Sequence, residues 1–91
     1  MKSAFDPAKR TATLAARDLD MADADFIFAG TYLTVADDRK DYGEPRFITY
    51  GTLDGRMVVV VWTVRGAFRR IISLRKANAR EQSTHGPSLR P

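Results

Sequence analysis

Cysteine is absent from the sequence, so neither disulfide bonds nor thiolate metal sites can help to hold the fold. This absence fits a reducing cytosol. Long apolar runs are missing as well, and the longest one, residues 57–62, is far too short to cross a bilayer. The first residues lack the apolar stretch of a signal peptide. The sequence therefore predicts a soluble, cytoplasmic domain with no membrane partner.

Charge of both signs is present but unevenly distributed along the 91 residues. Residues 1–64 contain eight Lys or Arg against ten Asp or Glu, a net of −2, whereas residues 65–91 contain seven against the single acid Glu81, a net of +6. A basic block beside an acidic block is typical of a polyanion-binding surface with a separate protein-docking surface. We expect RNA as the polyanion; the alternative is a solvated basic helix and tail.

The pattern of turns and apolar residues predicts an α+β domain with two N-terminal helices, a four-stranded antiparallel sheet and a short C-terminal helix. Asp6 and Pro7 begin the first helix, which ends near Arg17, and the second helix spans residues 21–29. The predicted strands are residues 31–35, 46–52, 57–64 and 69–75, with a mobile loop at 37–43 and the last helix at 77–82. Residues 1–82 would form the single domain, and 83–91 a flexible tail.

Turn chemistry predicts which strand residues share a face of the sheet. Asp54 and Gly55 favour a type I′ hairpin, which pairs Leu53 with Arg56 and, further out, Phe47 with Trp62 and Thr49 with Val60. Counting from the next turn pairs Trp62 with Ile71, Val60 with Ser73 and Val58 with Arg75. We therefore expect Val60, Trp62, Arg69, Ser73 and Arg75 on a partly open binding face. The helices would cover the opposite face, which contains Ile48, Tyr50, Val59, Val61, Ile72 and Leu74.

The segment from Arg69 to Glu81 resembles the closing segment of BrnT-type toxins, whose pattern is approximately R-I-I-S-x-R-x-A-x-x-x-E. Upstream, Asp6 and Lys9 match a D-x-x-K start of the same family. Glu44 and Arg46 match its acid-x-R before a strand, and Thr63 and Arg65 match its strand ending T-x-R. The resemblance extends from Phe5 to Glu81.

This resemblance implies a RelE-like fold and a ribonuclease toxin of a type II toxin–antitoxin system that needs neither a metal nor another cofactor. It also implies a cognate antitoxin of the ribbon-helix-helix, BrnA-like type, encoded beside the toxin and neutralising it. Toxin and antitoxin would form a hetero-oligomer that represses its own operon, with operator DNA contacted through the antitoxin.

The sequence departs from the family in its first helix. The family has N-x-x-K-H-G there, whereas residues 13–18 of this chain read T-L-A-A-R-D, without the Asn, Lys, His or Gly. Either RNA binding and cleavage are weakened, or Arg17 takes the place of the missing Lys or His. The aromatic residue that often follows the family's terminal R-E is absent too, and His85 lies in the predicted tail.

Cleavage of RNA without a metal requires a base for the 2′-OH proton, cations for the pentavalent phosphorane and an acid for the leaving 5′-oxygen. Arginine is suited to the second task because its guanidinium fork matches phosphate oxygens. The predicted catalytic residues are Arg65, Arg75, Arg80 and Glu81. The predicted RNA-binding residues are Glu44, Arg46, Trp62, Arg69, Ser73 and Lys76.

Each candidate also has a simpler structural interpretation. Glu81 is also suited to pairing with Arg80 or Lys76 on the helix surface, and Trp62 in a central strand is also a typical core residue. Arg65 could be only a turn residue, His85 a solvated tail residue, and the acids at 37, 38 and 41 a solvated loop without the spacing of a calcium site. A catalytically degenerate module that binds the antitoxin or acts as co-repressor is the second hypothesis, and a plain nucleic-acid-binding domain is the third.

Overall fold

The computed structural model describes residues 1–89, so Arg90 and Pro91, the end of the predicted tail, lie outside the described residues. The described residues form one five-stranded sheet with helices on both faces. This confirms the α+β class but corrects the predicted four-stranded antiparallel sheet. The additional strand, Lys2–Ala4, was not predicted because three residues are too few to show an alternation of apolar and polar side chains.

The strands are β1 (Lys2–Ala4), β2 (Leu33–Ala36), β3 (Phe47–Leu53), β4 (Arg56–Arg65) and β5 (Phe68–Lys76). Their order across the sheet is β1-β5-β4-β3-β2. β1 pairs with β5 in parallel, whereas the other neighbours are antiparallel. The sheet is therefore mixed, with β1 and β2 at its edges.

The N-terminal helices are α1 (Pro7–Arg17) and α2 (Ala24–Ala29), the second preceded by a 3₁₀ turn over Met21–Asp23. The Asp6 side chain caps α1 by accepting from the backbone N–H of Ala8 at 2.8 Å, as predicted. α1 ends at Asp18, whose φ of 55° is left-handed. The third helix, α3 (Ala79–His85), is followed by a 3₁₀ turn over Gly86–Leu89.

The β3–β4 hairpin agrees with the sequence-based register. Asp54 and Gly55 have φ of 52° and 76°, and a type I′ turn requires both to be positive. The pairs Leu53 with Arg56 and Phe47 with Trp62 are present. Local turn chemistry was therefore sufficient to predict this part of the sheet.

A β-bulge at Ile72 changes the register of the next pair of strands. Trp62 pairs with Ile71 as predicted, but Val61 pairs with Ser73, which leaves Ile72 as the additional residue on β5. The predicted pairs of Val60 with Ser73 and of Val58 with Arg75 are therefore wrong. The bulge places Ser73 and Arg75 on the same face as Val61 and Tyr50.

The main core lies on the face that was predicted to be open. Val58, Val60, Ile71 and Leu74 of the sheet pack there with a set of residues from the N-terminal helices and the turn between them: Leu19, Met21, Ala24 and Ile27. The prediction that these helices cover the Ile48 and Tyr50 face was wrong. It placed Ser73 and Arg75 on the first face, which made that face look too polar to be buried.

The C-terminal segment covers part of the other face. Leu89 is 8% exposed and belongs to a second cluster with Tyr50, Val59 and Ala77. The helix predicted over 77–82 instead runs from Ala79 to His85, and the predicted frayed tail has secondary structure up to Leu89. A single apolar residue near the end of a polar segment was too weak a pattern to predict this packing.

Candidate functional site

The sheet face opposite the N-terminal helices, here called the open face, displays Ile48, Val61, Ser73 and Arg75 and is only partly covered by α3 and the following turn. Arg65 and Arg70 of β4 and β5 lie on this face, since Arg70 pairs with Thr63 and Arg65 with Phe68. The open face therefore combines an apolar centre with basic residues.

Arg75 and Glu81 form the best-defined ion pair on the open face. Nη1 and Nη2 of Arg75 donate to Oε1 and Oε2 of Glu81 at 2.7 and 2.8 Å. The Glu81 side chain also accepts from the backbone N–H of Asn78, which completes a capping box at the start of α3. The partner of Glu81 is thus Arg75 and not the predicted Arg80 or Lys76, so Glu81 forms an ion pair with a different arginine.

This geometry fixes the charge of both groups. The hydrogen bonds from Arg75 hold the pKa of Glu81 at about 2, and the same contact raises the pKa of Arg75. The Arg75 side chain is still 41% exposed, whereas that of Glu81 is 15% exposed. Arg75 is thus a fixed cation open to a ligand, and Glu81 is the anion that positions it.

His85 stacks on Tyr50 beside this pair. The ring centroids are 4.0 Å apart with an interplanar angle of 26°. Glu81 and His85 are separated by one helical turn of α3, so their side chains lie on the same side of the helix. The prediction of His85 as a solvated tail residue is corrected by this contact, which depends on packing across the sheet.

A second group of charges lies where β3 and β4 meet the loop before β3. Glu44 accepts from Nε of Arg46 at 3.5 Å and from Nη2 of Arg65 at 3.3 Å. The guanidinium of Arg46 also lies 4.0 Å from the Tyr42 ring centroid. Glu44 and these two predicted RNA-binding and catalytic arginines are therefore brought together.

The loop before β3, which was predicted to be mobile, contributes a further ion pair between Asp37 and Arg39. Asp37 is buried, donates its backbone N–H to Arg46 and accepts from Nε and Nη2 of Arg39 at 2.7 and 2.8 Å. The hydrogen bond from Arg39 lowers the pKa of Asp37 to about 2. Arg39 is near enough to Arg75 for the two charges to repel. A short Asp-x-Arg spacing is the one sequence signal that could have indicated this pair.

Two predicted RNA-binding residues lie on the opposite side of the sheet. The Arg69 side chain is 12% exposed and its guanidinium lies 3.4 Å from the Phe28 ring centroid, under the N-terminal helices. Trp62 donates its indole N–H to the Thr49 hydroxyl at 2.8 Å and packs against the core cluster. The structure thus favours the core interpretation of Trp62, and Arg69 belongs to the same layer.

The remaining candidates are dispersed. Ser73 is half-buried on the open face, Arg80 is exposed on α3, and Lys76 is exposed at the end of β5 opposite Val58. Within residues 1–89, no three His, Asp or Glu side chains lie close enough to hold a metal ion. No helix in that range has the length and apolarity needed to span a membrane.

The fold and this face together define a small α+β protein with an arginine-rich sheet surface flanked by aromatic rings. The family described as ribonuclease toxin, BrnT, of type II toxin–antitoxin systems matches residues 5–81, which is most of the chain. The chain belongs to the BrnT family, as its sequence resemblance predicted. Family membership indicates a ribonuclease toxin of a type II system, and such a system implies an antitoxin partner. No curated protein matches the chain.

Residues 13–18, which the sequence resemblance sets against the family's N-x-x-K-H-G, form the end of α1 and its C-cap. Asp18, which the resemblance places at the motif's glycine, has the left-handed φ of 55° that glycine adopts at no steric cost. Ala16 and Arg17 stand at the Lys and His positions, and Nη1 of Arg17 donates to the Leu74 carbonyl at 2.9 Å. Arg17 therefore joins α1 to β5 near Arg75.

Proposed function

We propose that this protein is an endoribonuclease toxin that cuts single-stranded RNA on its open face without a metal ion. The observation that carries the proposal is Arg75, which is held rigidly by Glu81 and yet remains 41% exposed. A fixed guanidinium beside a reacting phosphate stabilises the charge that develops in the phosphorane. In this scheme arginine supplies the charge stabilisation that other nucleases obtain from a metal ion.

Further arginines surround the same face. Arg65 and Arg46 share Glu44, and Arg39 is held by the buried Asp37. Together they would bind successive phosphates of a single strand, while Ile48 and Val61 offer an apolar surface to the bases. Of the predicted residues, Arg46, Arg65 and Arg75 fit this arrangement. Arg69 and Trp62 pack in the core layer on the other side of the sheet and would not contact RNA on the open face.

The test is cleavage of a single-stranded RNA by the purified protein in buffer containing EDTA. We expect cutting by the wild type and a rate about 10²-fold lower for Arg75→Lys, which keeps the charge but loses the fork. Arg65→Ala should also be slower. Arg56→Ala removes the same charge at the other end of β4 and serves as the matched control, with no change expected. Intact RNA with folded wild-type protein would overturn the proposal.

We also infer that a ribbon-helix-helix antitoxin encoded beside the gene neutralises the toxin in a hetero-oligomer and provides the contacts to operator DNA. The implied antitoxin partner of the family supports this inference. Co-expression with the neighbouring reading frame should restore growth of a bacterium that the protein alone inhibits. Continued inhibition despite a stable complex would contradict it.

One observation favours a second candidate, a degenerate co-repressor that leaves RNA intact. Ala16 and Arg17 replace the family's Lys and His, and Arg17 is engaged by the Leu74 carbonyl. A mobility-shift assay of the antitoxin on its operator, with and without this protein, separates the candidates. Tighter operator binding together with uncut RNA would favour the co-repressor.

A further inference from the structure

The proposed cleavage leaves one task unassigned, removal of the 2′-OH proton. Glu81 is unsuited to it because both of its carboxylate oxygens accept from Arg75 and one also accepts from Asn78. The base must therefore be another group close to Arg75.

His85 is the candidate, because it lies one helical turn from Glu81, the residue that pairs with Arg75. It is the single histidine of the chain, and it lies outside the residues that match the family. α3 places it one turn beyond Glu81, and stacking on Tyr50 fixes the plane of its ring. His85 is half-buried, so the ring is held in place without being removed from the surface.

We propose that His85 is a catalytic residue of the RNA cleavage, acting as the base for the 2′-OH; this inference rests on the proposed function. The neutral imidazole takes the 2′-OH proton while the 2′-oxygen forms a bond to phosphorus and the bond from phosphorus to the 5′-oxygen breaks. Water gives a proton to the leaving 5′-oxygen, and the imidazolium later returns its proton to the solvent. The products are a 2′,3′-cyclic phosphate and a 5′-hydroxyl end.

The groups around His85 suit this role. Glu81, on the same helix, places a negative charge one turn from the ring and is itself paired with Arg75 of β5, and Tyr50 on β3 contacts the face of the ring. Arg39 on the loop adds a further positive charge near Arg75. Arg75 would bind the phosphate while the imidazole takes the proton.

The experiment measures RNA cleavage in EDTA by the wild type, His85→Ala and the matched variant Ser83→Ala on the same helix. We expect His85→Ala to cut about 10²- to 10⁴-fold more slowly, as for loss of a general base, and Ser83→Ala to be unchanged. Free imidazole should restore part of the rate to His85→Ala alone. RNA affinity, measured by fluorescence anisotropy, should stay within about twofold, since binding depends on the arginines.

The pH profile gives an independent readout. The pH–rate profiles of the wild type and of His85→Ala should differ in shape, because a general base takes part in the wild-type reaction only in its unprotonated form. Cleavage by folded His85→Ala at the wild-type rate overturns this inference alone and leaves the ribonuclease proposal standing. Failure of the wild type to cut overturns both. Equal loss of affinity and rate without imidazole rescue assigns His85 a structural role and also overturns the inference.

Discussion

At the scale of single residues, Arg69 and Arg75 have opposite surroundings although both lie on β5. Arg69 is half-buried against Phe28, where burial lowers its pKa, its Nη1 lies 3.7 Å from Asp25, and its Nε has no hydrogen-bond partner among the described residues. Arg75 is paired, charged and partly exposed. The sequence pattern places both on one face because it cannot reveal the bulge at Ile72 between them. Charge alone therefore does not identify a binding residue.

Glu81 has a pH dependence that follows from its contact with Arg75. Its pKa falls from an ordinary 4.5 to about 2 in the folded protein, so its contribution to stability is present above pH 4.5 and lost as the pH falls towards 2. We expect Glu81→Gln to be less stable than wild type by about 1–3 kcal/mol at pH 7. The difference should shrink steadily between pH 5 and pH 2.

Chemical denaturation of both proteins across this pH range measures the effect. Asp38→Asn, at an exposed loop position, is the control and should follow the wild type. A difference between wild type and Glu81→Gln that is independent of pH would show that the charge of Glu81 is not what stabilises α3.

At the scale of elements, the sequence predicted those features, turns and helix caps, that depend only on residues close together in the chain. Asp54 and Gly55 determine a turn by their own backbone preferences, and Asp6 caps α1 two residues away. The β5 bulge, the pairing of β1 with β5 and the docking of Leu89 depend on contacts between distant parts of the chain. A periodicity of apolar residues contains no information on these contacts, and for this reason the open face and the role of His85 could not be predicted.

The contact between β3 and α2 depends on the absence of a side chain at Gly51. A Cβ there would lie 2.6 Å from Cγ2 of the buried Ile27. We expect Gly51→Ala to lower the free energy of unfolding by about 1–3 kcal/mol through overpacking.

Gly86→Ala provides the matched comparison in a thermal melt. Its backbone is helical, and a Cβ would meet nothing within 4 Å. This variant should equal the wild type or exceed it by about 0.4–1 kcal/mol, because alanine has less conformational freedom in the unfolded chain. Equal stability of the two variants would contradict the close packing of β3 on α2.

At the scale of the whole molecule, the charge asymmetry of the sequence becomes an asymmetry of faces. The acidic residues among residues 1–30 belong to the helical layer. They are Asp6, Asp18, Asp20, Asp23 and Asp25. The arginines proposed to bind RNA, which are Arg39, Arg46, Arg65 and Arg75, lie on the open face or in the loop beside it, whereas Arg69 lies under the helical layer. An anionic strand would therefore be attracted chiefly to the side of the molecule that holds these arginines.

Salt dependence tests this arrangement. Each phosphate neutralised on a single strand contributes about −0.7 to the slope of log affinity against log salt concentration. Four contacts, from Arg39, Arg46, Arg65 and Arg75, predict a slope of about −3. Arg65→Ala should reduce its magnitude by about 0.7, and Arg56→Ala should leave it unchanged. A slope near zero for the wild type would exclude binding through these arginines.

The parallel pairing of β1 with β5 also governs the timing of folding. Lys2 lies opposite Phe68, so β1 has no partner until β5 has emerged from the ribosome. The core layer likewise needs Ile71 and Leu74 of β5 to meet Met21 and Ile27. Synthesis at about 5–20 residues per second leaves the early helices waiting for seconds. The five-stranded sheet and the core of this toxin therefore form only after β5 has emerged, however early α1 and α2 are made.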